Sequence, residues 1–192
     1  MDFLSIFLAF IIPLAWTPGP VNITLAVIGT TNGFKNSFKL IAGLNIAFTI
    51  QALILGFGLS KLFIQYPISY EIIKYAGICY LLFLSWKILN MKLGEKNIPL
   101  SFFTGLTLSF LNPKVYMTLI LMFSQFKTQS DNTEGIILLS ILSMLMFLIG
   151  NSIWAIFGSN LRKLIANKKI FNLQKYFFTL LLLGVAIYMA II

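Results

Sequence analysis

The sequence predicts an all-α integral membrane protein of about six transmembrane helices, and three observations carry that reading. Of the 192 residues, 59% are hydrophobic and only 10% are charged, against roughly 25% charged in an average soluble domain. The apolar residues fall into six long runs. Nearly all the charges fall at the run ends or in the gaps between them. A soluble chain of this length cannot hide so much apolar surface, whereas a bilayer accepts it. A spanning helix needs about 20 apolar residues, so six of them with short loops use nearly the whole chain. Residues 1–192 therefore read as one membrane domain, which excludes a nucleotide-binding domain, a soluble enzyme domain and a receptor ectodomain.

Run one extends from Phe3 to Gly29. It opens with Asp2 and no basic flank, so it reads as the first membrane helix rather than a cleaved signal peptide. Thr17-Pro18-Gly19-Pro20 interrupts it. Each proline removes a backbone donor and clashes with the preceding turn, and Pro18 pushes Thr17 out of helical geometry. Two prolines around Gly19 predict a full stop, with a second half-helix restarting near Pro20. Run two, Phe38 to Leu59, carries Gly43 and Ala47, a small-residue pair suited to close helix packing. Run three, Ile68 to Leu89, holds the single cysteine, Cys79, expected to be a small packing residue. Run four, Leu100 to Phe126, is interrupted by Asn112-Pro113-Lys114. One proline there predicts at least a kink, and Asn112 is suited to cap a helix that restarts after it. Lys114 places a charge inside an apolar run, which is costly unless it faces protein or water. Run five, Gly135 to Gly158, and run six, Phe171 to Ile192, read as ordinary spans.

The net charge is +9. In a soluble protein it would suggest nucleic acid; here it orients the chain. The first, third and fifth connections carry ten basic residues: Lys35, Lys39, Lys87, Lys92, Lys96, Arg162, Lys163, Lys168, Lys169 and Lys175. The second and fourth carry three, Lys61, Lys74 and Lys127, beside Glu71, Asp131 and Glu134. The positive-inside rule puts the odd connections in the cytoplasm and both termini on the other side. The fifth connection, Leu161 to Tyr176, alternates basic and apolar residues. It reads equally as an amphipathic surface helix or a solvated basic linker.

The breaks in runs one and four occupy corresponding places in two three-helix halves, about 1–95 and 96–192. Three helices per half means that the halves insert with opposite orientation, and paired broken helices in inverted halves are the sequence mark of a secondary-transporter site. A break exposes N–H groups at the start of one half-helix and C=O groups at the end of the other. The first attract anions and the second cations, so a break suits an amino acid zwitterion. Candidate binding residues are Thr17, Pro18, Gly19, Pro20, Asn22, Asn45, Asn112, Pro113 and Lys114. The carboxylate is expected at the half-helix starts with Lys114, and the ammonium at carbonyls and the side-chain oxygens of Asn22 and Asn112. No carboxylate lies mid-run to pair with a cationic substrate, which favours small neutral amino acids over lysine or arginine. With no histidine and one cysteine, a soft-metal site lacks ligands and a disulfide within the chain is ruled out. No cofactor, catalytic residue or metal ligand is expected. The expected partners are the substrate, a coupling ion and the lipid bilayer, with a homo-oligomer left open and no nucleic acid.

At these residues the chain resembles the lysine-exporter (LysE/RhtB) family of amino-acid efflux proteins. Thr17-Pro18-Gly19-Pro20 looks like that family's T/S-P-G-P motif, and Gly33 and Gly43 match glycines that follow it. Lys74 with Gly77, Tyr80 and Leu81 is similar to its third-helix K-x-x-G-x-x-Y-L pattern. Gly105, Asn112-Pro113-Lys114 and Gln125-Phe126 resemble its fourth-helix stretch, and Gly184 fits the glycine of its last helix. Ser124 departs from a usual proline, and Ala47, Ser85 and Phe178 from common glycines. The resemblance implies about six spans in the bacterial inner membrane and efflux of amino acids or related metabolites, driven by an ion gradient rather than ATP. Competing readings are a transporter or channel for another small solute such as an inorganic cation, a membrane enzyme, and a structural subunit. The enzyme reading lacks intramembrane His, Cys or paired carboxylates. The structural reading gives no reason for two broken helices.

Overall fold

A computed structural model describes residues 2–59, 65–90, 100–126, 128–161 and 168–191. The described residues form helices α1 (Phe3–Trp16), α2 (Pro20–Asn32), α3 (Phe38–Ile54), α4 (Pro67–Leu89), α5 (Phe102–Phe110), α6 (Pro113–Gln125), α7 (Thr133–Leu161) and α8 (Lys168–Ile191). α1 and α2 together make the first span, bent by 58° at its break, and α5 with α6 make the fourth, bent by 62°. α3 and its flanking turns, Phe34–Gly58, and α7 are long and apolar enough to cross a membrane unbroken. α4 and α8, with 23 and 24 residues, reach about 35 Å at 1.5 Å per residue, enough for a hydrocarbon core of about 30 Å. The chain is thus a multi-pass membrane protein. The basic residues Lys92, Lys96, Arg162 and Lys163, with Lys61 and Lys127, lie outside the described residues. So do residues 162–167 of the fifth connection; from Lys168 onward that connection belongs to α8.

Local chemistry sets each break. α1 ends where Thr17 turns extended (φ −62°, ψ 149°), as a residue before proline must. Gly19 is extended too, and Pro20 takes the first position of α2, where no N–H is needed. The second break is as sharp as the first despite its single proline. Pro113 pushes Asn112 out of helical geometry (φ −97°, ψ 100°) as Pro18 does Thr17, and Asn112 adds a cap: its Oδ1 accepts from the Lys114 N–H at 3.1 Å at the start of α6. Asn112→Ala is therefore expected to cost about 1 kcal/mol. The check is the unfolding midpoint of detergent-purified protein, which should fall by a few degrees.

The long helices are apolar on both faces. α3 buries Leu40, Gly43, Leu44, Ala47, Phe48 and Gln51, and turns Ile46, Ile50 and Ile54 outward. Soluble proteins rarely expose such apolar stripes; facing lipid they are solvated. Cys79 follows the same rule. It is exposed on α4 rather than packed inside as its apolar setting suggested. Lys74, read with the second connection, instead lies buried in α4 and bonds Glu71 at 3.0 Å, one turn earlier.

Two apolar clusters flank the breaks. One joins Ile23, Leu25 and Ile28 of α2 to Leu40, Leu84 and Leu182. The other joins Phe7 and Ile11 of α1 to Phe48, Leu119, Met122 and Leu139. On the first side, helices meet backbone to backbone. A Cβ on Gly29 would overlap the Ala155 carbonyl, and one on Gly158 the Ala26 carbonyl, so α2 lies directly on α7. Gly43 and Gly105 lock α3 to α5 in the same way, against the Phe102 and Leu40 carbonyls. On the second side, side chains make the contact: Phe126 of the fourth span packs on Phe3, Phe7 and Phe10 of α1.

Candidate functional site

The ends of the half-helices leave polar groups that the protein itself partly satisfies. Asn22, one turn into α2, folds back and donates from Nδ2 to the carbonyls of Ala15 (3.0 Å) and Thr17 (2.9 Å). Trp154 of α7 donates to the Trp16 carbonyl at 3.0 Å, and Trp16 donates to the Met146 carbonyl at 3.2 Å. α7 can lie this close because Gly150 faces the end of α1, where a Cβ would sit 2.8 Å from Trp16 Cδ1. At the second break, Gln51 of α3 donates to the Ser109 carbonyl at 3.3 Å and accepts from Ser109 Oγ at 2.8 Å. Each break thus has an amide side chain on the carbonyls that precede it.

Lys114 joins the two breaks. Its Nζ donates to the Thr17 carbonyl at 3.1 Å and to Thr17 Oγ1 at 3.0 Å, across 97 positions of sequence. The ammonium lies against Gly19, where a Cβ would come within 3.2 Å of it. Beside it α2 begins with no side-chain cap. Among the described residues, the Val21 and Asn22 N–H groups have no hydrogen-bond partner. Uncapped N–H groups of a 13-residue helix next to an ammonium form a cradle for an anion.

A narrow cavity opens between these groups. Gly19, Asn22, Ser109, Asn112, Lys114 and Asn151 give it polar walls; Leu44, Phe48, Val115 and Phe147 give it apolar ones. Phe48 and Phe147 stack, with ring centres 4.3 Å apart. In this conformation the cavity is about 20 Å³, room for a water and too little for an amino acid. An amino acid would fit here only with the helices further apart.

Of the residues singled out by sequence, Gly19, Asn22, Asn112 and Lys114 line the cavity. Thr17 holds Lys114 from its edge, Pro20 and Pro113 start α2 and α6, and Pro18 lies exposed between α1 and α2. Asn45 stands apart. One position along from Leu44, it points about 100° away around α3; its Nδ2 bonds the Ile41 carbonyl, and its buried Oδ1 has no partner among the described residues. Sequence reasoning passed over Gln51, Ser109 and Asn151. Each is a polar residue in an apolar run, the signal that singled out Asn45, but each has a hydroxyl residue within two positions, Thr49, Thr107 or Ser152, which blurs it.

Residues 12–192 match the family model described as LysE type translocator. The chain belongs to that family. This makes it a translocator of the membrane, not an enzyme. The translocator is 31% identical over 166 residues to a protein of Escherichia coli O157:H7 named cysteine/O-acetylserine efflux protein, with 84% of this chain and 85% of the relative covered. Proteins of the same name in Escherichia coli strain K12 and Shigella flexneri serotype 5b (strain 8401) are each 30% identical, with the same coverage. No solved structure matches the chain.

Proposed function

We propose that this translocator is a secondary active exporter of small neutral amino acids or closely related metabolites across the bacterial inner membrane, driven by an ion gradient. Its substrate binds between the breaks of the first and fourth spans. The observation that carries the reading is the Lys114 ammonium at the junction of both breaks, beside the uncapped start of α2. There the substrate carboxylate meets Lys114, the Val21 and Asn22 N–H groups and Asn112 Nδ2; Asn112 Oδ1, expected from sequence to take the ammonium, is instead used to cap α6. The substrate ammonium meets Asn22 Oδ1, which no protein donor uses among the described residues. The cavity lining contains no carboxylate for a second positive charge, which favours neutral side chains. The efflux relatives named for cysteine and O-acetylserine agree with that size and charge. Efflux from cells preloaded with serine, cysteine, O-acetylserine and lysine tests the reading. The neutral compounds should leave faster when the chain is expressed; selective lysine efflux would sink the neutral-substrate reading.

The two halves act as inverted repeats, each a broken span followed by two unbroken ones. The basic connections lie in the cytoplasm and both termini outside. The side sealed backbone to backbone then faces the cytoplasm, and substrate entry begins with α2 leaving α7 and α5 leaving α3. A C-terminal alkaline phosphatase fusion, active only outside the cytoplasm, should be active. Activity confined to a cytoplasmic reporter at the same position contradicts this orientation.

A further inference from the structure

We infer that Asn151 of α7 is a specificity-determining residue: its amide reads a polar atom on the substrate side chain and selects small polar amino acids over apolar ones of the same size. This assignment rests on the exporter reading above. Asn151 is only 4% exposed, and it lines the cavity. Among the described residues its amide has no hydrogen-bond partner. Its amide atoms are not sealed by the surrounding packing; they open onto the cavity, where an entering group can reach them. The carbonyls that end α1 lie beside Gly150, next to Asn151, yet other donors hold them: Asn22 for Ala15 and Thr17, Trp154 for Trp16, and Lys114 for Thr17.

The position of Asn151 is fixed. One turn either side, α7 is tied to the end of α1 by the two indole bonds, Trp16 to Met146 and Trp154 to Trp16. The backbone that carries Asn151 is therefore tied to the first break, and its amide faces the cavity there. The zwitterion's backbone charges already have partners in Lys114, the start of α2, Asn112 and Asn22. Ser109 is committed to Gln51. The remaining walls, Leu44, Phe48, Val115 and Phe147, are apolar. Asn151 is thus the polar group left for the substrate side chain. An amide offers both a donor and an acceptor, so it suits a hydroxyl, a thiol or an ester carbonyl. A methyl group in that place would leave it unpaired.

Serine and 2-aminobutyrate test this, because they differ only by a hydroxyl in place of a methyl. Efflux of each is measured in the intact protein and in Asn151→Leu, which keeps the side-chain shape, with the amount of protein in the membrane measured alongside. The native protein should prefer serine by about fivefold, the worth of one hydrogen bond. Asn151→Leu should lose or reverse that preference through faster 2-aminobutyrate efflux, a gain that mere misfolding does not give. Two results overturn the assignment alone: no preference in the native protein, or an unchanged serine-to-2-aminobutyrate ratio in Asn151→Leu, whether or not both substrates slow. A native protein that moves neither substrate nor any other amino acid overturns the exporter reading beneath it.

Discussion

Replacing Lys114 with alanine is expected to reduce export by about 10- to 100-fold, the worth of one charge-assisted hydrogen bond to a buried anion. Lys114 supplies the positive charge of the cavity, and its Nζ is held 3.0–3.1 Å from Thr17 by two bonds that need no substrate. A carboxylate approaching the start of α2 finds that charge already in position. Without it, the N–H groups of Val21 and Asn22 remain and supply only the partial charge of a helix end. Lys114→Arg should also fail largely. The ammonium lies against Gly19, 3.2 Å from where a Cβ would sit, and a guanidinium is planar and wider and cannot place one point charge there. Efflux rates at matched protein abundance check both variants. Near-native export by Lys114→Ala would remove Lys114 from the site.

Gly158→Leu is expected to have the largest effect on folding. The missing Cβ is where the Ala26 carbonyl sits, and the Ala26 Cα would be 2.9 Å away. These are backbone atoms, which cannot turn aside as a side chain does. Leucine therefore pushes α7 off α2 at a backbone-to-backbone contact. Overpacking in cores typically costs about 1–3 kcal/mol, and a backbone-to-backbone contact belongs at or above the top of that range. Gly29→Leu should do the same through the Ala155 carbonyl. Gly184→Leu is the control, since a Cβ at Gly184 meets nothing within 4 Å. Folded protein recovered in detergent, by size-exclusion profile and thermal midpoint, should fall sharply for Gly158→Leu and stay near native for Gly184→Leu.

The breaks were legible in the sequence because proline chemistry is local. Thr17-Pro18-Gly19-Pro20 ends a helix by sterics and a lost donor wherever it sits. The second break was harder to read. A single Pro113 permits a mere kink; here Asn112 before it is extended and caps α6, and the bend reaches 62°. Site membership was less legible, because which way a helical side chain points depends on partners far along the chain. Asn45 and Asn151 look alike in sequence, each an amide in an apolar run. Only the packing of α3 and α7 around the break turns Asn151 into the cavity and Asn45 away from it. Cys79 misled for a related reason: in a bilayer, an apolar setting in sequence does not mean the interior. Nor could sequence distance suggest that Lys114 holds Thr17.

The central claim is that the junction of the two breaks binds the carboxylate of an amino acid. Counterflow in liposomes holding the purified protein tests it most directly, using serine and ethanolamine, which is serine without its carboxylate. The account predicts that serine exchanges, that ethanolamine does not, and that Lys114→Ala exchanges serine poorly at equal incorporation. Ethanolamine exchanging as fast as serine, or Lys114→Ala matching the native protein, would contradict it.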